Sequence, residues 1–292
     1  MAELNSAVDT PLVLGMMRLH ERKPLHDPAA LAGWIERRVE QGLHWFDHAD
    51  IYGDGRCETL FGAALAQSAE LKSRVRLISK ADIIKVPRDE SPWNVTHYDS
   101  SPDYLEASVN GSLRRLGVER LDMFLLHRPD PLMDVGPTAR ALERLLQTGK
   151  VGQIGVSNFN PPQWRLLQQA LGSRLSCNQL ELSLRVSAPL FNGTSEAMQH
   201  DGLQMLAWSP LAGGRLEEEG LGVLLNELAE KAGCGPVGLA AAWLRRIPGV
   251  PIPVIGSLNE DRIADALAGC RYEMQRSDWF ALLEMTRGQR VP

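Results

Sequence analysis

At 292 residues, 44% hydrophobic and 23% charged, the chain carries enough apolar material for one large core. A net charge of -5 and a pI of about 5.8, with Lys and Arg scattered along the chain, speak against nucleic acid as the main partner. Cys57, Cys177, Cys234 and Cys270 form no CxxC pair, Met1-Ala2-Glu3-Leu4-Asn5 lacks a signal-peptide pattern, and no apolar run approaches the ~18 residues of a membrane span, so a cytoplasmic protein with reduced thiols is expected.

Short apolar runs alternate with amphipathic helical patterns. Residues 12–14 read as the first strand, stopped by Gly15, and a helix follows with Leu31, Ile35 and Val39 on one face. A second strand over 44–46 breaks into the polar loop Asp47-His48-Ala49-Asp50-Ile51-Tyr52-Gly53, followed by a helix over 59–66. The third strand, 75–79, ends at Lys80. Residues 82–102, which include Pro87, Pro92, Trp93, His97 and Tyr98, are too long for an ordinary connection and read as a long inserted loop. A helix over 103–116 leads to a strand over 121–126 ending at His127, and a helix to Gln147 leads to a strand over 151–156 ending at Ser157-Asn158. Pro161-Pro162 opens the next helix. Strands over 175–178 and 203–207 end at Gln179 and Trp208. Helices over 221–231 and 236–246 precede a strand over 252–255, which runs into Gly256-Ser257 and a helix from near Asn259; the tail from Ser277 reads as one extra helix.

Alternating βα units imply parallel strands. Eight such units without an obvious linker point to an α/β chain folded as a single (β/α)8 TIM barrel over 1–292, with an extra C-terminal helix. No GxGxxG follows the first strand, which counts against a Rossmann fold. Asp47, Lys80, His127, Ser157, Asn158, Gln179, Trp208 and Ser257 all fall at or just beyond predicted C-terminal strand ends, the face on which barrels build active sites.

Those residue types suit one chemistry. A nearby ammonium, Lys80, favours the phenolate of Tyr52 and would lower its pKa, while Asp47 keeps the lysine charged and oriented. His127 could hydrogen-bond a substrate oxygen, and the four together would donate a proton to a carbonyl oxygen as charge develops there. Protonation is half of a reduction; the other half is a hydride.

At these positions the chain resembles the aldo-keto reductase superfamily. The resemblance rests on 46–53, Ile78-Ser79-Lys80, Leu125-Leu126-His127, Gly155-Val156-Ser157-Asn158-Phe159, Trp208-Ser209-Pro210-Leu211-Ala212-Gly213-Gly214 and Val254-Ile255-Gly256-Ser257, in family order. His97-Tyr98-Asp99 and 127–132 look most like a bacterial oxidoreductase branch. The resemblance implies that Tyr52 is the proton donor, tuned by Lys80 and Asp47, with His127 orienting the carbonyl of a small-molecule carbonyl or alcohol substrate. It implies NADPH as cofactor, with Ser157, Asn158 and Gln179 on the carboxamide and Trp208 stacked on the nicotinamide. Ser209, Leu211 and Gly213 would lie over the pyrophosphate, and Ser257 and Arg262 would meet the adenosine 2′-phosphate. Many members have a lysine just before that serine, where this chain has Gly256, so one phosphate contact is missing at this cofactor position.

Two other classes compete. One is a cofactor-binding regulatory subunit of the same fold with negligible turnover. The other is a metal-dependent barrel hydrolase opened by His48 and Asp50, which would need further ligands where the later strand ends carry Lys80, Ser157 and Gln179; no metal is expected. Ser157-Asn158 could also be only the cap of the helix at Pro161. Trp93, His97 and Tyr98 could line a substrate mouth or be ordinary loop packing.

Overall fold

The computed structural model describes residues 7–86, 95–216, 221–288 and 290. Met1–Asn5, Pro87, Pro92 and Trp93, on which expectations were placed, lie outside the described residues. In chain order the elements are β1 Val13–Gly15, α1 Pro28–Glu40, β2 Trp45–Asp47, α2 Arg56–Leu65, α3 Ala69–Arg74, β3 Arg76–Ala81, β4 Ile83–Ile84, β5 His97–Tyr98, α4 Pro102–Leu116, β6 Leu121–Leu126, α5 Val135–Gln147, β7 Val151–Ser157 and α6 Pro161–Ala170. They continue with β8 Cys177–Glu181, α7 Thr194–Asp201, β9 Gln204–Trp208, α8 Leu221–Ala232, α9 Pro236–Arg245, β10 Ile252–Ile255, α10 Glu260–Gly269 and α11 Arg276–Arg287. The strands hydrogen-bond in the closed order β1-β10-β9-β8-β7-β6-β3-β2. β1 with β10, β10 with β9, β2 with β3, β3 with β6 and β6 with β7 all pair in parallel, as expected for a (β/α)8 barrel. β4 and β5 stand apart as a two-stranded antiparallel pair, Ile83 opposite Tyr98 and Ile84 opposite His97.

The barrel strands are mostly buried apolar runs, as parallel sheets require; β2 and β10 are buried throughout. The helices begin where a short polar side chain takes up a free N–H. Asp27 accepts from Ala30 N at 2.8 Å and Ser101 from Tyr104 N at 3.4 Å. Asn160, at the start of α6, accepts from Gln163 N at 3.1 Å, and the Gln163 side chain accepts from Asn160 N in return, a capping box. In α5, Ala139, Leu142 and Leu145 are buried while Arg140 and Arg144 are exposed, the spacing of a one-sided helix.

Packing forms two compact units, Gly15–Asn178, and the described residues to Leu14 with those from Gln179 onward. In the first, Glu58 on α2 is fully buried, pairs with Arg115 on α4 at 2.8 Å and accepts from Ser79 Oγ on β3 at 2.7 Å. Gly62 lets the same two helices approach, since a Cβ there would overlap the Arg115 carbonyl oxygen. In the second, a Cβ on Gly269 of α10 would overlap the Gly238 backbone of α9. Trp243 on α9 and Trp279 on α11 stack at 4.9 Å between ring centroids, and each indole N–H donates to the other's carbonyl, at 3.2 and 3.0 Å, which fixes the C-terminal helix.

Candidate active site

The Tyr52 loop is held by its main chain before any side chain acts. Met16 N–H donates to the Asp47 carbonyl, His48 N–H to Ile78 and Asp50 N–H to Lys80, so the loop continues the β2–β3 ladder before it turns. Asp50 is anchored by Ser108 Oγ at 2.7 Å and by the Tyr104 hydroxyl at 3.3 Å. Gly53 has φ 57°, and a Cβ there would lie 2.8 Å from the His20 ring, so glycine is favoured on both counts.

Lys80 is fully buried on β3 and donates from Nζ to Asp47 Oδ1 at 2.6 Å and to the His48 carbonyl at 2.8 Å. Its ammonium lies 5.1 Å from the centroid of the Tyr52 ring. His127 follows β6 and meets Tyr52 edge-on, with ring centroids 6.0 Å apart. The four residues predicted as catalytic are therefore brought together within the unit Gly15–Asn178.

The electrostatics correct one expectation. Burial is the largest influence on Tyr52 and pushes its pKa up; the pull of Lys80 toward the phenolate does not overcome it. The phenol is thus a neutral donor, not a pre-formed phenolate. Burial alone would lower the pKa of Lys80, but Asp47 and Tyr52 more than offset it, and the net shift is upward. His127 is held well below 6.5, first by burial and then by Lys80, Arg128 and Lys85, so its imidazole is neutral.

Ser157 closes β7 and is buried, and Asn158 beyond it has φ 63° and donates from Nδ2 to Ser157 Oγ at 2.8 Å and to the His127 carbonyl at 3.3 Å. Because Asn160 caps α6, neither Ser157 nor Asn158 is needed as a cap. Gln179 lies inside β8 rather than past its end, and is buried. Trp208 ends β9, half-buried. After it the backbone takes positive φ at Ser209 (54°), Ala212 (50°), Gly213 (69°) and Gly214 (92°), with Leu211 between them half-buried. Ser257 Oγ accepts from Asn259 N at 3.3 Å, and Asn259 caps α10 by accepting from Arg262 N at 3.0 Å. Arg262 and Gly256 are exposed, and a Cβ on Gly256 would meet none of the described residues within 4 Å.

His48 is a core residue, fully buried, edge-on to Phe61 at 4.7 Å, with neither ring nitrogen hydrogen-bonded among the described residues and a pKa lowered to about 3 by burial and then by Lys80. Among the described residues, no three His, Cys, Asp or Glu side chains are grouped to hold a metal. His97 and Tyr98 sit on β5 with exposed side chains. Among the described residues no helix is long and apolar enough to cross a membrane, and all four cysteines are free.

Sequence reasoning overlooked the acids around these groups. Asp82, just past β3, is fully buried and accepts from Arg128 N. Glu58 sits buried on the same helix face as Phe61 and Leu65. An acid on an otherwise apolar helix face was the available signal for Glu58; nothing local distinguishes Asp82 from the polar segment it opens.

The family model described as "Aldo/keto reductase family" matches residues 11–285. The chain is 36% identical over 283 residues to a 6-dehydroglucose reductase of Agrobacterium fabrum, covering 96% of this chain and 95% of that one. It is 38% identical over 267 residues to the oxidoreductase YdhF of Escherichia coli, covering 90% and 89%. A crystal structure of an aldo/keto reductase from Klebsiella pneumoniae in complex with NADP and acetate superposes with a TM-score of 0.78 at 24% identity, covering 97% of this chain and 92% of that one.

Proposed function

From the premise that the chain belongs to the aldo/keto reductase family, we propose that it reduces aldehydes or ketones to alcohols with NADPH, reversibly, with Tyr52 as the proton donor. The observation that carries this reading is the buried contact of Lys80 Nζ with Asp47 Oδ1 at 2.6 Å, with the same ammonium 5.1 Å from the Tyr52 ring.

The residues present suit a nicotinamide dinucleotide. Ser157 and Gln179 are polar side chains buried on barrel strands, where they would hold the carboxamide together with Asn158, and Trp208 would stack on the ring. The turn over Ser209, Leu211 and Gly213, with positive φ at Ser209, Ala212, Gly213 and Gly214, would lie over the pyrophosphate. Ser257 and Arg262 flank the N-terminus of α10, an end that favours a phosphate. Glu260 and Asp261 in that first turn, with no side chain at Gly256, weaken the preference for the 2′-phosphate.

When bound, reduced nicotinamide supplies the hydride that adds to the carbonyl carbon. Tyr52 gives its hydroxyl proton to the carbonyl oxygen and becomes a phenolate, which the Lys80 ammonium stabilises while Asp47 fixes that ammonium in place. Tyr52 then regains a proton from solvent. The neutral His127 would donate from Nε2 to the same carbonyl oxygen and so orient it. A raised phenol pKa keeps the proton on Tyr52 until charge develops on the substrate, which is when the neighbouring ammonium matters most. The relative named 6-dehydroglucose reductase makes 6-dehydroglucose the first substrate to assay. A cytoplasmic location is part of the proposal, supported by the four unpaired cysteines.

The test is Tyr52→Phe, followed by NADPH oxidation with a panel of carbonyl compounds. Near-complete loss of turnover with NADPH binding retained supports the reading. Normal turnover removes Tyr52 from the mechanism, and NADPH binding without turnover in the wild type moves the chain to the regulatory-subunit reading.

A further inference from the structure

We propose that Asp82 is a positioning residue for His127, acting through the main chain where the chain leaves β6; the inference rests on the carbonyl-reductase reading above. The His127 ring has no hydrogen bond of its own at Nδ1 among the described residues, although it is buried. Its orientation is therefore set by its backbone and by packing against Tyr52. That backbone is tied on every side. His127 N–H donates to the Ala81 carbonyl at 2.9 Å, the His127 carbonyl accepts from Asn158 Nδ2 at 3.3 Å, and the next N–H, of Arg128, donates to both carboxyl oxygens of Asp82 at 3.1 and 3.0 Å. The Asp82 carbonyl accepts from Asp99 N at 2.8 Å, so the same residue also secures the chain beyond β5.

The backbone of Asp82 shows that its side chain is retained against a conformational cost. Its φ is 114°, in a region that side-chain-bearing residues rarely adopt and glycine enters freely. Strain of this kind persists where the surroundings over-determine it, and it clusters at functional sites. Pairing with a cation does not explain the acid. Burial pushes its carboxyl up to about 8, with Asp50 and Asp130 pushing the same way, against the N–H groups of Arg128 and His127. Both of its oxygens face the Arg128 N–H, and the task left for the side chain is to accept main-chain hydrogen bonds. An amide can do that; a hydrogen atom cannot.

The experiment compares Asp82→Gly with Asp82→Asn in the full chain. Asp82→Gly relieves the positive φ, which favours folding, but it leaves the Arg128 N–H without its acceptor. Expected for it is a fall of about tenfold or more in kcat/KM for the carbonyl substrate, from a misplaced His127, with KM for NADPH unchanged. Asp82→Asn keeps an acceptor oxygen and most of the wild-type turnover. The NMR signals of the His127 imidazole, assigned with His127→Gln, shift in Asp82→Gly and stay in place in Asp82→Asn. Wild-type kcat/KM and unshifted His127 signals in Asp82→Gly overturn the proposal, as does an Asp82→Asn variant as impaired as Asp82→Gly. A wild-type protein that reduces no carbonyl compound defeats the proposed function instead, and the imidazole signals of the two variants still decide whether Asp82 positions His127.

Discussion

Replacing Asp47 with Asn removes one charge of a buried pair and leaves the other behind. The side chains of Lys80 and Asp47 are 0% and 4% exposed, so water cannot compensate. Breaking such a pair from one side costs about 3–5 kcal/mol, a large part of the ~5–15 kcal/mol that holds a typical domain folded. With a urea slope of ~3 kcal/mol/M, the midpoint at pH 7 falls by roughly 1–2 M. The pH dependence carries a sharper signature. In the wild type the pKa of Lys80 is raised above its unfolded value, so the stability it adds is complete below that value and is lost only as pH rises through the folded one. Without Asp47 only Tyr52 opposes burial, the largest single influence, so the folded pKa should drop toward and below the unfolded one. Asp47→Asn should therefore gain stability as pH rises from the lowered folded pKa toward the unfolded one, a range over which the wild type stays level on account of this group. Urea titrations followed by Trp fluorescence at three pH values measure both effects. Lys80→Met placed on top of Asp47→Asn should restore much of the loss, since no buried charge remains. An Asp47→Asn midpoint within ~0.3 M of wild type, or one that does not rise with pH, would refute the view that this pair is closed to solvent.

Gly269→Ala should be strongly destabilising although the change is one methyl, because the new Cβ would overlap the Gly238 backbone where α10 crosses α9. A loss of about 1–3 kcal/mol, typical of overpacking, is expected, read as a lower Tm. Gly256→Lys restores a cation at an exposed position with room for a side chain. An exposed ion pair is worth up to ~1 kcal/mol, so NADPH binding should tighten by roughly fivefold relative to NADH, measured by fluorescence quenching; equal effects on both cofactors would place Gly256 away from the 2′-phosphate. We also propose that residues 1–292 form one folding domain. The wild type should then lose far-UV and Trp signals in a single coincident urea transition, whereas two transitions would show that the two compact units unfold separately.

The barrel was legible in the sequence because its signal is local and repeated. Each strand is a short apolar run and each helix a one-sided pattern, and two of the eight predicted barrel strands, Leu121–Leu126 and Ile252–Ile255, match to the residue. The residues of the candidate catalytic group were legible for a related reason: Asp47, Lys80 and His127 stand where apolar runs stop, and runs stop at strand ends. The same reasoning misplaced Gln179, which lies inside β8, because a polar residue that the barrel buries looks from outside like the end of a strand. It also read no strand in 82–102, since a two-residue antiparallel pair such as Ile83–Ile84 with His97–Tyr98 has no periodicity to detect.

What local pattern could not carry is the balance of forces at a buried point. The order of residues placed an ammonium near a phenol and pointed to a lowered phenol pKa, but burial, which depends on everything packed around Tyr52, decides the opposite sign. Likewise, Asp82 is one acid at the start of a polar stretch until the chain folds, when its carboxyl meets Arg128 N–H from a segment 46 residues away. Apolar spacing and chain order therefore determined which elements form and which side chains stand at their ends. Only the tertiary structure decided how far those side chains are removed from water and which main-chain groups hold them, because desolvation and long-range hydrogen bonds are set by neighbours distant in sequence.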